Sequence, residues 1–222
     1  CQEAHDEGID AHLHIVHLSS ATALPLIAVA RARGLSLTAE TCPHYLTLCA
    51  EDIPDGKTLF KCCPPIREKE NQEHLWQGLL DQEVDFVVSD HSPCSPRLRL
   101  LDAGDIEHAW GGISSLQFGL SIIWTEARRR GIGFPQVVDW MSTRPAQFAG
   151  LGNRKGCIAP GYDADLVVFD DSTSYTIRPE IIRYRHKVTP YEGRIVHGQV
   201  RATYVRGNRV YAEGRLLGQP AG

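Results

Sequence analysis

Long hydrophobic runs and a strong excess of charge of one sign are both missing from this sequence. No stretch of about 18 apolar residues occurs, so the sequence predicts no membrane partner, and its polar start, CQEAHDEGID, lacks the apolar core of a signal peptide. The 23 basic and 27 acidic residues give a formal net charge of -4. This near balance argues against nucleic acid as a partner.

A regular cysteine pattern is missing as well. The seven cysteines are odd in number, and their spacing is not that of a disulfide framework. This usage favours a reducing, intracellular compartment. We therefore expect a cytoplasmic protein, with mitochondria and peroxisomes as alternatives.

What the chain does have, up to residue 154, is the alternation of strands and helices that is typical of an α/β fold. The predicted elements in chain order are strand 11–20, helix 21–34, strand 35–46, helix 71–82, strand 84–93, helix 115–131 and helix 134–150. This order predicts parallel β–α units. From residue 155 onward, short strands and turns such as RGNR (206–209) predict a separate small β domain in 155–222.

Three potential metal ligands follow predicted strands directly. His17, His44 and Asp90 each stand where an apolar segment ends. Chemistry in a β–α barrel gathers at such strand ends, and imidazole and carboxylate are the usual ligands of catalytic zinc. Each residue taken alone is more often a hydrogen-bonded structural residue, but their shared position predicts a metal site. His12 and His14 project to the opposite face from His17, and we expect them to be structural.

Two loops could bind a small molecule through the backbone. KCCPPIRE (61–68) is stiffened by two prolines and could present the backbone of Cys63 to an amide or imide ring. WGGI (110–113) would let a ligand approach the backbone at Gly111 and Gly112. The alternative for both is a plain connector. SPRLRLL (95–101) is predicted to be a solvated loop.

Several of these stretches together resemble a known family. HIVHLSS, ETCPHYL, KCCPPIR, VSDHSPC, AWGGI, KGCIAPGYDADLVVF and YRHKVTPYEGR are similar to segments in the C-terminal half of allantoinases, within the cyclic amidohydrolases that include dihydropyrimidinase and dihydroorotase. The resemblance covers essentially the whole chain. It implies a partial TIM-type barrel in residues 1–154 and, in 155–222, part of a β-sandwich built from both chain ends.

The same resemblance implies an activity and roles for single residues. His17 and His44 would bind one zinc ion, and Asp90 would bind a second and take up the proton of the bridging hydroxide. His91 would orient Asp90 or line the pocket, and Cys63, His91, Gly111 and Gly112 would bind the substrate. That substrate would be a small cyclic ureide, (S)-allantoin, opened to allantoate in purine breakdown. The protein would be a homo-oligomer, either a dimer or a tetramer.

The chain also departs from the family pattern. It has no lysine before Lys57, it begins with Cys1, and its one D-x-H-x-H match, DAHLH (10–14), lies inside the predicted strand that delivers His17. The family's first histidine pair and its bridging lysine are therefore not in this segment. We expect the chain to be part of a longer protein and to be inactive alone. A dihydropyrimidinase or hydantoinase, or a non-catalytic assembly relative, are the alternatives.

Overall fold

The structure, a computed structural model, describes residues 2–9 and 11–218. The chain divides into two compact units: one extends to Leu116 and includes Val188–Pro190, and the other comprises Gln117–Lys187 and the residues from Tyr191 onward. The second unit thus begins well before the predicted boundary at residues 154 and 155.

The first unit contains a parallel sheet of three short strands. These are β1 (Leu13–Ile15), β2 (Leu37–Thr41) and β3 (Phe86–Val87), and they lie in the order β1-β2-β3. Its helices are α1 (Gln2–Asp6), α2 (Leu24–Ala32), α3 (Pro43–Thr47) and α4 (Lys69–Leu80). The predicted parallel β–α order is confirmed, although each strand is shorter than its apolar segment. Among the described residues, no helix combines the length and the apolar character needed to cross a bilayer.

Helix α4 shows why these segments fold as they do. Leu75, Trp76 and Leu79 recur at helical spacing and are almost completely buried. The indole N–H of Trp76 donates to the carbonyl of Leu46 at 2.8 Å. A buried indole needs such a partner, so this bond links α4 to the segment that follows β2.

His12 and His14 make polar contacts with the neighbouring strand segment, in agreement with the structural role expected of them. His12 Nδ1 lies 2.8 Å from the Ser36 hydroxyl, and His14 Nδ1 lies 2.7 Å from the Thr38 hydroxyl. His14 Nε2 lies 3.1 Å from a carboxylate oxygen of Glu40. These contacts form a cross-strand ladder of polar side chains between the β1 and β2 segments.

The second unit contains an antiparallel sheet and three helices. The helices are α5 (Gly119–Arg129), α6 (Phe134–Val138) and α7 (Arg144–Phe148), and the strands, in sheet order, are β4 (Leu166–Thr176), β5 (Ile195–Val205), β6 (Asn208–Ala212) and β7 (Arg215–Leu216). The predicted switch to antiparallel strands and the turn between β5 and β6 are confirmed. The single helix predicted over 134–150 is interrupted by a π-helical turn, Asp139–Thr143. Pro145 follows this turn and cannot donate a backbone hydrogen bond.

Helix α5 belongs to the second unit because the sheet supplies its hydrogen-bond partners. The Ser121 hydroxyl donates to the carbonyl of Gly198 at 2.6 Å, and the Trp124 indole donates to the carbonyl of Asp171 at 2.9 Å. The backbone N–H of His197 donates to the Thr125 hydroxyl at 2.7 Å. Sequence periodicity identified the helix but could not show which sheet it contacts. Whether 1–154 and 155–222 act as barrel and sandwich portions in a longer protein stays a prediction.

Replacing Gly198 with alanine is expected to lower the free energy of unfolding by about 2–4 kcal/mol. Gly198 has φ 85°, and a Cβ there would lie 2.8 Å from the Trp124 ring and in collision with Phe169. Gly193→Ala is the matched control, since Gly193 has φ 82° and open space around it. Thermal unfolding of both variants measures the difference. Equal losses would show that backbone conformation, and not packing, sets the requirement at Gly198.

Candidate metal centre

The three predicted ligands follow three neighbouring parallel strands. His17 comes two residues after β1 ends, and His44 and Asp90 each come three residues after β2 and β3. Because the strands are parallel, their carboxyl ends lie on one edge of the sheet. The structure therefore places all three on the edge at which the sequence predicted a site.

Two of these ligands form a close cluster with a cysteine. One potential ligand atom from each of Cys42, His44 and Asp90 lies within 4.8 Å of the other two. His17 is not in this cluster, but it is near enough to His44 for its charge to affect the pKa of that ring. Asp90 is the most accessible of the clustered residues, whereas Cys42 and His44 are fully buried.

The imidazole of His44 suits a metal ligand. It is completely buried, and neither ring nitrogen has a hydrogen-bond partner among the described residues. Nδ1 of His17 is also buried without a partner there. Buried polar atoms are almost always satisfied, so two neighbouring rings with open nitrogens need an explanation. A bound cation would supply the missing partner, and the residues present fit one.

The protonation state of His44 agrees with this assignment. Burial, with a smaller contribution from the nearby His17, lowers the pKa of His44 from 6.5 to about 3. The ring is therefore neutral near pH 7, which is the form that binds metal. Tyr45 contacts the ring edge to face, with centroids 4.1 Å apart, and fixes its plane.

Cys42 differs from the two other members of the cluster. Burial raises the pKa of its thiol, and the negative charges of Asp90 and Glu40 raise it further. A thiol must lose its proton to bind metal well. We therefore interpret Cys42 as a neutral packing residue, which leaves His44 and Asp90 as the candidate metal ligands of the cluster.

The backbone is unusual at two of the predicted ligands. His17 has φ 39° and Asp90 has φ 40°, in the left-handed region that residues with a Cβ disfavour. Such conformations cost on the order of 1–3 kcal/mol and cluster at functional sites. Because both residues follow strand ends, these left-handed conformations support a functional site there that fixes the backbone.

His91 is held by the backbone of the segment that follows the glycine loop. Its Nδ1 accepts hydrogen bonds from the N–H groups of Ser115 and Leu116, at 3.0 and 3.1 Å. The ring proton therefore resides on Nε2, and burial lowers the pKa of the ring. His91 can act as a neutral donor through Nε2.

The two predicted substrate-binding loops meet. A Cβ on Gly111 would lie 3.7 Å from Cα of Cys62 and 3.9 Å from N of Cys63. The N–H of Gly112 donates to the carbonyl of Lys61 at 2.8 Å. Cys63 is exposed. The loop 61–65 thus contacts the glycines 111 and 112.

One buried residue was missed by sequence reasoning. The prediction that 95–101 is a solvated loop is wrong for Arg99, which is only 1% exposed. Its guanidinium donates to backbone carbonyls of three other loops, including Trp110 at 3.2 Å and Ser92 at 3.3 Å. Backbone acceptors leave no trace in a sequence, so no signal could have identified these contacts.

Without bound metal, the buried His44 is expected to make the chain sensitive to acid. Since its pKa is lower in the folded chain, only the unfolded chain takes up a proton as the pH falls below 6.5. Stability is therefore lost between pH 6.5 and about 3, by roughly 2 kcal/mol at about pH 5. Thermal unfolding with a chelator, at about pH 7 and about pH 5, measures this loss. His44→Asn should show a smaller drop, and an equal drop would contradict the assignment.

Gly112→Ala is expected to disrupt the contact between the loops. Gly112 has φ 134°, and an added Cβ would lie 3.0 Å from the carbonyl oxygen of Ser92 and collide with its side chain. We expect a loss of about 2–4 kcal/mol in the free energy of unfolding. Gly8→Ala is the control, because Gly8 also has a positive φ but open surroundings. Similar unfolding temperatures for the two variants would contradict the expectation.

Solved structures place this arrangement in a known class. The dihydropyrimidinase of Brevibacillus agri NCHU1002 is 36% identical and superposes with a TM-score of 0.86 over 94% of this chain and 46% of that one. The L-hydantoinase of Arthrobacter aurescens is 27% identical, with a TM-score of 0.89 over 96% of this chain and 48% of that one. These neighbours support a metal-dependent hydrolase fold, and the candidate histidine and carboxylate ligands lie on one edge of its parallel sheet.

The family follows from the sequence comparison. Residues 1–210 match the Amidohydrolase family, and the chain belongs to it. An allantoinase of Streptomyces avermitilis is 50% identical over 214 residues, which are 96% of this chain and 47% of that protein. The allantoinase of Arabidopsis thaliana is 46% identical over 96% of this chain and 42% of its own length. The chain spans about half the length of the curated relatives it matches.

Proposed function

We propose that the whole protein containing this chain is a cyclic amidohydrolase that opens the hydantoin ring of (S)-allantoin to give allantoate in purine breakdown. One observation carries the proposal: the buried imidazole of His44, which has no hydrogen-bond partner among the described residues, lies within 4.8 Å of Asp90 in a chain 50% identical to an allantoinase. Identity to the curated allantoinases, at 42–50%, favours this substrate.

Divalent metal is the proposed cofactor, with zinc as the default and two ions per site. His17 and His44 would hold one ion through ring nitrogens, and Asp90 would hold the other through its carboxylate. When bound, the metal supplies Lewis acidity, which makes water a stronger acid and stabilises negative charge on an amide oxygen. His and carboxylate ligands also accept other divalent ions.

Asp90 is the proposed proton acceptor. As water adds to the ring carbonyl carbon, a carboxylate oxygen of Asp90 takes the proton that the water loses. The ring C–N bond then breaks, and the departing nitrogen receives that proton. One water is consumed, the new carboxylic acid releases its remaining proton to solvent, and the products are a carboxylate and a ureido group. His44, neutral near pH 7, does not compete for the proton.

Ring orientation is assigned to the loops beside the site. Backbone groups of Cys63, Gly111 and Gly112 would hydrogen-bond the ureide, and His91 would donate from Nε2 to a carboxylate or ring oxygen. Contact between the two loops, and the fixed tautomer of His91, support this assignment.

The remaining proposals concern the whole protein. We infer that the parallel sheet is part of a TIM-type barrel and that β4–β7 belong to a composite β-sandwich. A homo-oligomer, dimer or tetramer, and a cytoplasmic location are proposed as well, with mitochondria or peroxisomes as the alternative locations. The free cysteines among the described residues agree with a reducing compartment.

The decisive experiment compares substrates. The whole protein, loaded with Zn²⁺, is assayed with (S)-allantoin, hydantoin and dihydrouracil, following allantoate or the matching ring-opened product. A kcat/KM for allantoin at least about tenfold above the others is expected, which corresponds to about 1.4 kcal/mol of discrimination. A preference for dihydrouracil or hydantoin would instead favour the second candidate function, that of a dihydropyrimidinase or hydantoinase. The similarity to solved structures of such enzymes supports this candidate. No turnover of any ring would favour a non-catalytic assembly role.

A further inference from the structure

Arg99 is a buried cation without a carboxylate partner. Its side chain is 1% exposed, and within the described part of the chain no carboxylate pairs with it. Arginine is almost never fully buried unless its charge is compensated. Here the compensation comes from backbone carbonyls and from the neighbouring Cys94 side chain, so the residue is held by loops and not by a carboxylate.

Those carbonyls belong to segments distant in sequence. One terminal nitrogen of Arg99 donates to Lys61 at 3.4 Å and Trp110 at 3.2 Å. The other donates to Ser92 at 3.3 Å and makes a very short contact with the carbonyl of Gly112. A single guanidinium therefore joins the segments 61–65, 90–93 and 110–113.

The same segments carry the residues assigned to substrate and metal. Cys63 lies two residues after Lys61, Ser92 follows Asp90 by two residues, and Gly111 lies between Trp110 and Gly112. Direct backbone bonds also connect these segments, since Ser92 N–H donates to Ile113 at 3.0 Å and Gly112 N–H donates to Lys61 at 2.8 Å. These two amides report whether the segments remain joined.

The geometry requires a guanidinium. Arginine presents five N–H donors in a planar fork, which can satisfy acceptors on both terminal nitrogens at once. Lysine has the same charge but only three donors on one nitrogen, so it can reach some of the carbonyls and not all. An apolar side chain such as methionine would leave every one of them without its charged donor.

We propose that Arg99 is a positioning residue that holds the loops 61–65, 90–93 and 110–113 in the arrangement that binds the cyclic amide. This inference rests on the proposed function for its effect on substrate. Arg99 itself touches neither substrate nor metal in this scheme; it acts through the backbone of the three loops.

The kinetic test uses the whole protein and three variants. Arg99→Met is expected to raise KM for allantoin by about tenfold or more, the effect of losing hydrogen bonds to a charged group. Arg99→Lys should recover part of this loss, and Arg97→Met, an exposed arginine in the same loop, should have no effect. A merely structural role would lower the folded fraction and therefore the apparent kcat, while KM stayed unchanged.

The second test is hydrogen exchange and needs no activity. In Arg99→Met the amides of Ser92 and Gly112 should exchange at least about tenfold faster. The amide of Leu18, which donates to Glu40 in the parallel sheet at 2.7 Å, should keep its rate. If Arg99→Met does not fold, the graded loss in Arg99→Lys replaces it in both tests.

The outcomes separate the two proposals. Wild-type KM together with wild-type exchange at Ser92 and Gly112 in the Arg99 variants would overturn the inference. Faster exchange with an unchanged KM would overturn the role in substrate binding. If the wild-type protein opens no cyclic amide, the proposed function fails, and the exchange rates alone then decide whether Arg99 holds the loops.

Discussion

Replacing His44 with asparagine in the whole protein is expected to reduce kcat/KM by on the order of 10³-fold, or about 4 kcal/mol of transition-state stabilisation. Within the described part of the chain, neither buried nitrogen of this imidazole has a hydrogen-bond partner, and its low pKa keeps the ring neutral and able to bind a cation. Asparagine fills much of the same space but is a poor ligand for zinc. Bound metal per chain, measured by elemental analysis, should fall together with turnover.

The control for this prediction is another histidine in the same unit. His74 is exposed on helix α4, so His74→Asn should leave metal content and activity unchanged. Circular dichroism of both variants checks that the fold is intact. Normal metal content and normal turnover in His44→Asn would exclude His44 as a ligand.

The second large effect is expected for Asp90→Asn. The substitution keeps the shape of the side chain but removes its capacity to take a proton, so kcat should fall by about 10²–10⁴-fold, the usual contribution of a general base. Because the change is nearly isosteric, thermal stability should alter by less than about 1 kcal/mol. Steady-state kinetics and thermal unfolding of the same preparation separate the two quantities.

Asp102→Asn provides the comparison, since Asp102 is exposed in the loop region that follows Asp90. It should behave as wild type in both measurements. If Asp90→Asn keeps more than about a tenth of the activity, the loss is smaller than removal of a general base should cause. Another residue would then have to be the proton acceptor.

The positions of the candidate ligands were predictable because they depend on local pattern. Apolar segments that end abruptly in a polar residue mark strand ends, and the intervening helices make the strands parallel. His17, His44 and Asp90 were identified in this way. The family resemblance was needed only to assign roles to them.

Strand lengths and helix interruptions were not predictable in the same way. Residues 84–93 read as one apolar strand, but only Phe86 and Val87 pair with β2. The length of a paired strand depends on its partner strand, and the periodicity of one segment holds no information about that partner. The π-helical turn before Pro145 likewise follows from backbone hydrogen bonds and not from hydrophobic spacing.

Residues that act through the backbone were the hardest to find. Arg99 has an ordinary charged side chain in a loop, and its importance comes from carbonyls that any residue could provide. The distance between Cys42 and Asp90 likewise depends on how two strand ends approach each other. Both sets of contacts arise from tertiary structure, and no local sequence pattern predicts them.

At His17 and Asp90 the left-handed backbone lowers stability, while the side chain is the one proposed to bind metal. A glycine at either place would adopt the same φ without the penalty that a Cβ imposes. Selection for thermal stability alone would therefore favour glycine there and remove a proposed ligand. An engineer who seeks a more robust protein should take stability from distant surfaces and leave these two strained residues as they are.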